Sequence, residues 1–193
     1  MLHRLYNWTI AKAQSPHAER ALFGIAFIES SFFPLPPDVL LIPMCLADRA
    51  RSFRFAALCT VASVLGGLFG YLIGHFLFET IGQNLIDLYG LHEQFAHFQN
   101  YFHQYGWWII VLLGLTPFPY KVVAISSGLV GLNPLIFASA SLLIRGARFN
   151  LEAFLLYRYG EAMRRFIEKY LPLLTLAFFA LLLSGILAVK YLL

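Results

Sequence analysis

The chain has 193 residues, of which 60% are hydrophobic and only 12% charged, with 19 Phe and a net charge of +4; its mean hydropathy is +0.71. This composition argues against a soluble globular domain and reads as one compact integral membrane unit, with no polar stretch long enough to fold separately. The positive charge lies between apolar runs, where it faces anionic lipid, and gives no reason to expect a nucleic-acid partner.

Residues 1–20 mix Leu5, Tyr6, Trp8 and Ile10 with Arg4, Lys12 and Arg20, a pattern that suits an N-terminal helix lying in the membrane interface. No compact apolar core preceded by basic residues and followed by a cleavage site is present, so a removable signal peptide is not expected.

The next segment, residues 22–47, is apolar from Leu22 to Phe33, is interrupted at Pro34, Pro36 and Pro37, and resumes from Val39 to Leu46, with Glu29 and Asp38 on either side of the break. Proline removes a donor and clashes with the preceding turn, so such a cluster leaves several peptide groups without helical partners. Non-helical backbone survives at membrane depth only where protein or a water-filled cavity covers it. The segment therefore predicts a helical hairpin that enters the bilayer and returns.

Phe53 to Phe78 is long enough to span and carries no Asp, Glu, Lys or Arg after Arg54. Gly66, Gly67, Gly70 and Gly74 fall at helical spacing and predict a smooth face for close helix packing. Cys45 and Cys59 sit in or beside apolar runs, where a free thiol behaves as a small hydrophobe, and no disulfide is expected. Residues 79–106 predict an amphipathic surface helix with Glu79, Asp87, Glu93, Phe95, Phe98, Tyr101 and Phe102. Its His92, His97 and His103 lack the spacing of a helical metal pair, and no metal site or cofactor is expected.

A second interrupted segment covers residues 107–133. It runs from Trp107 to Leu115, breaks at Pro117 and Pro119, and continues from Val122 to Leu132, with Lys121 at the break and Gly128 beyond it. Pro134 to Tyr157 predicts a spanning helix carrying Arg145, Arg148 and Glu152. Residues 161–193 hold the rest of a basic connection that begins at Arg158, and a last span from Pro172 to Leu193, with Lys190 near its end.

Arg4, Lys12 and Arg20 precede the first hairpin and Arg49, Arg51 and Arg54 follow it, so both flanks belong on the cytoplasmic side. Residues 79–106 contain no Lys or Arg, as befits an external loop, and Arg158, Arg164, Arg165 and Lys169 bring the chain back inside. The two hairpins thus enter from opposite faces. The expected fold is an all-α integral membrane protein: two opposed re-entrant hairpins within residues 21–160, about three transmembrane helices, and amphipathic surface helices. Paired interrupted segments of this kind point to a substrate site between them.

Six ionisable groups lie at membrane depth on this map: Glu29, Asp38, Lys121, Arg145, Arg148 and Glu152. An unpaired charge in hydrocarbon costs about 2.5–3.5 kcal/mol even on lenient scales, so they are expected to converge. Arg145, Arg148 and Glu152 share one helical face. Arginine suits a phosphate-bearing ligand because its planar fork binds bidentately and keeps its charge. Glu29 is the acid singled out as a proton carrier, and Asp38 has the alternative of capping the second arm of its hairpin. Internal ion pairing that only holds helices together is the competing reading.

The stretch from Phe27 to Asp38, Phe-Ile-Glu-Ser-Ser-Phe-Phe-Pro-Leu-Pro-Pro-Asp, resembles the first re-entrant motif of the DedA family, also called the VTT-domain or SNARE-associated Golgi family. Thr116-Pro-Phe-Pro-Tyr-Lys-Val, with Ser127-Gly128, Phe137 and Arg145-Gly146, resembles its second motif, and the overall pattern is most similar to the YqaA-type branch. Typical members carry two arginines around the second break, where this chain has Gly114 and Tyr120. The resemblance implies a bacterial inner-membrane, multi-pass protein that moves phospholipid or polyprenyl-phosphate across the bilayer as a flippase or scramblase, with proton coupling in some members.

A proton-coupled transporter of small ions or solutes, a structural scaffold and a lipid-headgroup enzyme are the alternatives. The enzyme is disfavoured because no H-E-x-x-H, no G-x-S-x-G and no His placed to activate Ser30, Ser31, Ser126 or Ser127 is present. The lipid's identity, the direction and energy source of its movement, and the oligomeric state are not legible.

Overall fold

The computed structural model describes residues 17–32, 36–90, 92–116, 118–160 and 162. Within them the chain is helical, with no strand. The N-terminal interfacial segment, apart from its last four residues, and the final span lie outside the described residues.

Helix α1 covers Ala18–Ser31 and α2 covers Asp38–Ala47. Between them the helical ladder ends when Phe32 donates back to the Ile28 carbonyl, and it restarts when the amides of Leu40 and Leu41 reach the Pro37 carbonyl. A short 3₁₀ turn, Arg49–Arg51, follows. Asp48 caps it by accepting from Arg51 at both the backbone amide and the guanidinium, and the Arg51 hydrogen bonds hold this exposed carboxyl below its ordinary range.

Helix α3, Ser52–Leu77, has 26 residues and is about 39 Å long at 1.5 Å per residue. It passes through one π-helical turn, Phe78–Gly82, into α4, Gln83–Tyr89, which stops at Gly90 in the left-handed conformation. Helix α5, His92–Leu115, runs without interruption through residues 106 and 107, so the expected single surface helix over 79–106 is broken at Gly90, and its part from His92 onward is one helix with the first arm of the second interrupted pair. Thr116 ends it by bonding the Leu113 carbonyl. Pro119, in extended conformation, starts α6, Tyr120–Leu129. Gly131 at φ +67 turns the chain, Asn133 Oδ1 accepts the Leu135 amide at 2.8 Å, and Pro134 opens α7, residues 134–160. Asparagine before a first-turn proline is a strong helix-start signal.

Helices α3 and α7 run antiparallel. Phe53 and Tyr157 rings lie 5.8 Å apart at one end, and those of Tyr71 and Phe137 lie 5.7 Å apart towards the other. The glycine face of α3 receives both interrupted pairs. A Cβ at Gly66 would strike the Phe27 carbonyl of α1, and one at Gly74 would strike the Ile125 carbonyl of α6. On α6, Gly128 abuts the Tyr71 carbonyl in the same way. Small residues here let backbones touch.

The core is consequently in two parts. One packs Leu22, Leu41, Met44 and Cys45 against Phe55 and Cys59 of α3 and Phe149 of α7; the other packs Ile110, Val123 and Leu132 against Tyr71 and Phe137. Cys45 and Cys59 are buried free thiols. Gln99 of α5 donates to the Val130 carbonyl past the end of α6 at 3.0 Å, so the start of α5 lies beside the end of α6.

Candidate functional site

Between the two apolar clusters, half-way along α3 and α7, the interior turns polar. Ser63 is the twelfth of the 26 residues of α3, which places it about 16 and 21 Å from the helix ends. Arg145, opposite it on α7, is 4% exposed. Its Nε donates to Ser63 Oγ at 2.8 Å, while Nη2 donates to Glu29 Oε2 at 2.8 Å and also reaches Ser30 and Ser63. Ser30 and Ser63 hydroxyls are 2.6 Å apart, and Ser30 also donates to Glu29 at 3.1 Å. The guanidinium lies between two rings, 4.8 Å from Tyr120 and 4.9 Å from Phe149, and cation–π attraction gains strength where water is excluded.

One turn further along α7, Arg148 Nη2 donates to Asp38 Oδ2 at 2.9 Å. This second pair is more open: the Arg148 side chain is 52% exposed and that of Asp38 26%, against 5% and 20% for Arg145 and Glu29. Among the described residues, Asp38 Oδ1 is buried without a hydrogen-bond partner. Asp38 therefore faces Arg148 and makes no hydrogen-bonded cap on α2. Glu152, a turn beyond Arg148, lies beside both Asp38 and Arg148.

Five of the six groups picked out by charge and depth thus stand on one α1–α2–α7 junction. Lys121, half-buried in the first turn of α6, makes no ion pair or hydrogen bond with another described residue. The breaks at Pro36, Pro37 and Pro119 place Asp38 and Tyr120 in the first helical positions after them. Pro34 and Pro117 lie outside the described residues. Gly128 serves packing against α3. Ser31 and Ser127 bond carbonyls of their own helices.

Four contributors were missed by reading charge alone: Ser30, Ser63, Tyr120 as an arginine platform, and Phe149. Ser63 had a signal, since it lies three residues before Gly66 on the face where α3 admits α1. Among the described residues no three His, Cys, Asp or Glu side chains are grouped to hold a metal. A cavity of about 220 Å³ bounded by Phe78, Ile86, Asp87, His92 and Phe95 shares no residue with this network.

Residues 35–158 match the VTT domain model. The chain belongs to the VTT-domain family. An uncharacterized protein of Haemophilus influenzae is 31% identical over 170 residues, covering 88% of each chain. A second uncharacterized protein, from Histophilus somni, is 33% identical over 168 residues, covering 85% of this chain and 87% of its own. No solved structure matches. VTT-domain proteins, also called the DedA family, are membrane-associated with a transporter-like role. Among the described residues of this member, one helix, Arg49–Thr80, is long and apolar enough to cross a membrane. At the second break of this VTT-domain protein Arg145 of α7 sits over the ring of Tyr120, next in sequence to Lys121 of α6.

Proposed function

We propose that this VTT-domain protein is a non-enzymatic lipid transporter, a flippase or scramblase that carries a phospholipid or polyprenyl-phosphate across the bacterial inner membrane. The observation that carries this reading is the placement of a buried Arg145–Glu29 pair midway along two antiparallel helices, with the half-exposed Arg148–Asp38 pair one turn away.

Several features support a bilayer around it. Val61, Leu65, Phe69, Leu72 and Phe76 form an exposed stripe along α3, the outward apolar surface that lipid rather than water covers. A helix of about 39 Å exceeds the roughly 30 Å hydrocarbon core. Antiparallel packing of α3 and α7 brings Gly160 against the Arg49 guanidinium, so the arginine-rich ends share one face, taken as cytoplasmic. The two interrupted pairs then serve as re-entrant hairpins, one from each side, with α1 and α6 packed on the glycine face of α3.

In this mechanism the phosphate first meets Arg148, because that guanidinium is half-exposed whereas Arg145 is sealed. A phosphate competes with a carboxylate for the same bidentate fork, so binding displaces Asp38. Transfer towards Arg145 displaces Glu29 in turn, while the acyl or prenyl tail stays in lipid. A carboxylate left without its cation at this depth is costly, and a proton moving with the lipid relieves that cost. Arg145, Arg148, Glu29, Asp38 and Glu152 are the substrate and proton pathway on this reading, with Lys121 at the second break as an additional positive charge.

Reconstitution into liposomes containing a fluorescent phospholipid or a polyprenyl phosphate, with and without a pH gradient, tests the proposal. Protein-dependent transbilayer movement is expected. Proton movement with no lipid movement would favour an ion or solute transporter, and neither would favour a scaffold.

A further inference from the structure

The hydrogen bonds of Arg145 all run to one side, towards Glu29 and Ser30 of α1 and Ser63 of α3. On the side of the second hairpin stand two buried hydroxyls. Tyr120 is 5% exposed and Ser141 fully buried, and among the described residues neither Tyr120 Oη nor Ser141 Oγ makes a well-formed hydrogen bond. The two are neighbours. Ser141 lies four residues before Arg145, on the same face of α7.

The Tyr120 hydroxyl is not free to leave this position. The Tyr120 ring is stacked on Phe137 at 6.2 Å, and its Oη presses on Gly67, where a Cβ would collide with it. Buried hydroxyls without partners are rare because each forfeits its hydrogen bonds to water. A fold that holds them beside a guanidinium lying 4.8 Å from the Tyr120 ring suits a guest with oxygen acceptors.

Resting on the transport reading above, the geometry points to Tyr120 and Ser141 as the neutral donors that bind the phosphate oxygens of a lipid beside Arg145. The charge comes from Arg145, and the hydroxyls fix orientation with one O–H each. No bond is made or broken. Arg145 turns from Glu29 towards the second hairpin, and the phosphate binds between its fork and the two hydroxyls. Phosphate, with several acceptor oxygens, matches three converging donor groups; a carboxylate offers fewer.

Tyr120→Phe and Ser141→Ala each delete one oxygen and keep the shape. In detergent, short-chain phosphatidic acid is expected to raise the melting temperature of the wild type, whereas diacylglycerol of the same chain length is not. Each variant should need about tenfold more phosphatidic acid for the same shift, the worth of a hydrogen bond to a charged group, while melting without ligand at or above the wild-type temperature. Unchanged dependence on phosphatidic acid in both variants would overturn the assignment. So would a lower melting temperature of both without ligand, which would make the hydroxyls structural or bridged by a bound water. Binding of phosphatidic acid by a wild type that moves no lipid would defeat the transport reading and leave the site standing. Equal transport by wild type and both variants would do the reverse.

Discussion

Removing Glu29 while leaving Arg145 isolates a guanidinium whose side chain is 5% exposed. With charge centres near 4 Å and an effective dielectric constant near 20, the pair's attraction is about 4 kcal/mol. Truncating one partner of such a buried pair costs about 3–5 kcal/mol, because the other charge remains without compensation. Glu29→Ala is therefore expected to lose about that much stability, and Arg145→Met a similar amount. The double variant should lose no more than about 1–2 kcal/mol, since both charges are gone. Ser30 and Ser63 remain bonded to each other at 2.6 Å, so the double change leaves neither without a partner. Denaturant unfolding in mixed micelles, followed by tryptophan fluorescence, closes the cycle. A cost below about 1 kcal/mol for Glu29→Ala, or a double variant as unstable as the sum of the singles, would refute burial and coupling as the reason these residues meet.

Gly74→Ala should lower stability by about 1–3 kcal/mol, because its Cβ would meet the Ile125 carbonyl of α6. Gly24→Ala, where nothing lies within 4 Å, should be neutral or slightly stabilising in the same melting assay; equal losses at both positions would contradict the close approach of α3 and α6. Arg148→Gln should cost less stability than Arg145→Met, since its pair with Asp38 is more open than the buried one, yet abolish lipid movement in proteoliposomes; a loss as large as that of Arg145→Met would mean the pair is closed in the membrane. His92→Cys, in a background lacking Cys45 and Cys59, should react with an impermeant thiol reagent from outside intact cells, and labelling only after permeabilisation would invert the topology.

The broad helical plan was legible because prolines and glycines act locally. Proline cannot donate in the ladder, so α1 and α2 part around Pro36 and Pro37, and the glycines of α3 mark where α1 and α6 touch it. The common face of Arg145, Arg148 and Glu152 follows from a 3.6-residue repeat. Pairing did not, because which acid meets which arginine depends on how α1 and α2 dock against α7. That docking pairs Arg145 with Glu29 and Arg148 with Asp38. The continuity of α5 through residue 106 was hidden by a change from polar to apolar composition, which alters the environment of a helix without breaking it. Tyr120 and Ser141 were invisible as a pair, since only the packing of α6 on α7 reveals that, among the described residues, their hydroxyls make no well-formed hydrogen bond.

The proposed function requires Arg145 and Arg148 to bind the phosphate of a transported lipid. Its most direct measurement is the rate of transbilayer movement of a fluorescent phospholipid and of a polyprenyl phosphate in proteoliposomes containing equal amounts of inserted wild-type, Arg145→Gln or Arg148→Gln protein. Glutamine keeps hydrogen bonding but lacks the charged fork, so the wild type is expected to move at least one of the lipids and both variants to be inactive. Movement by both variants at the wild-type rate would contradict phosphate binding by these arginines.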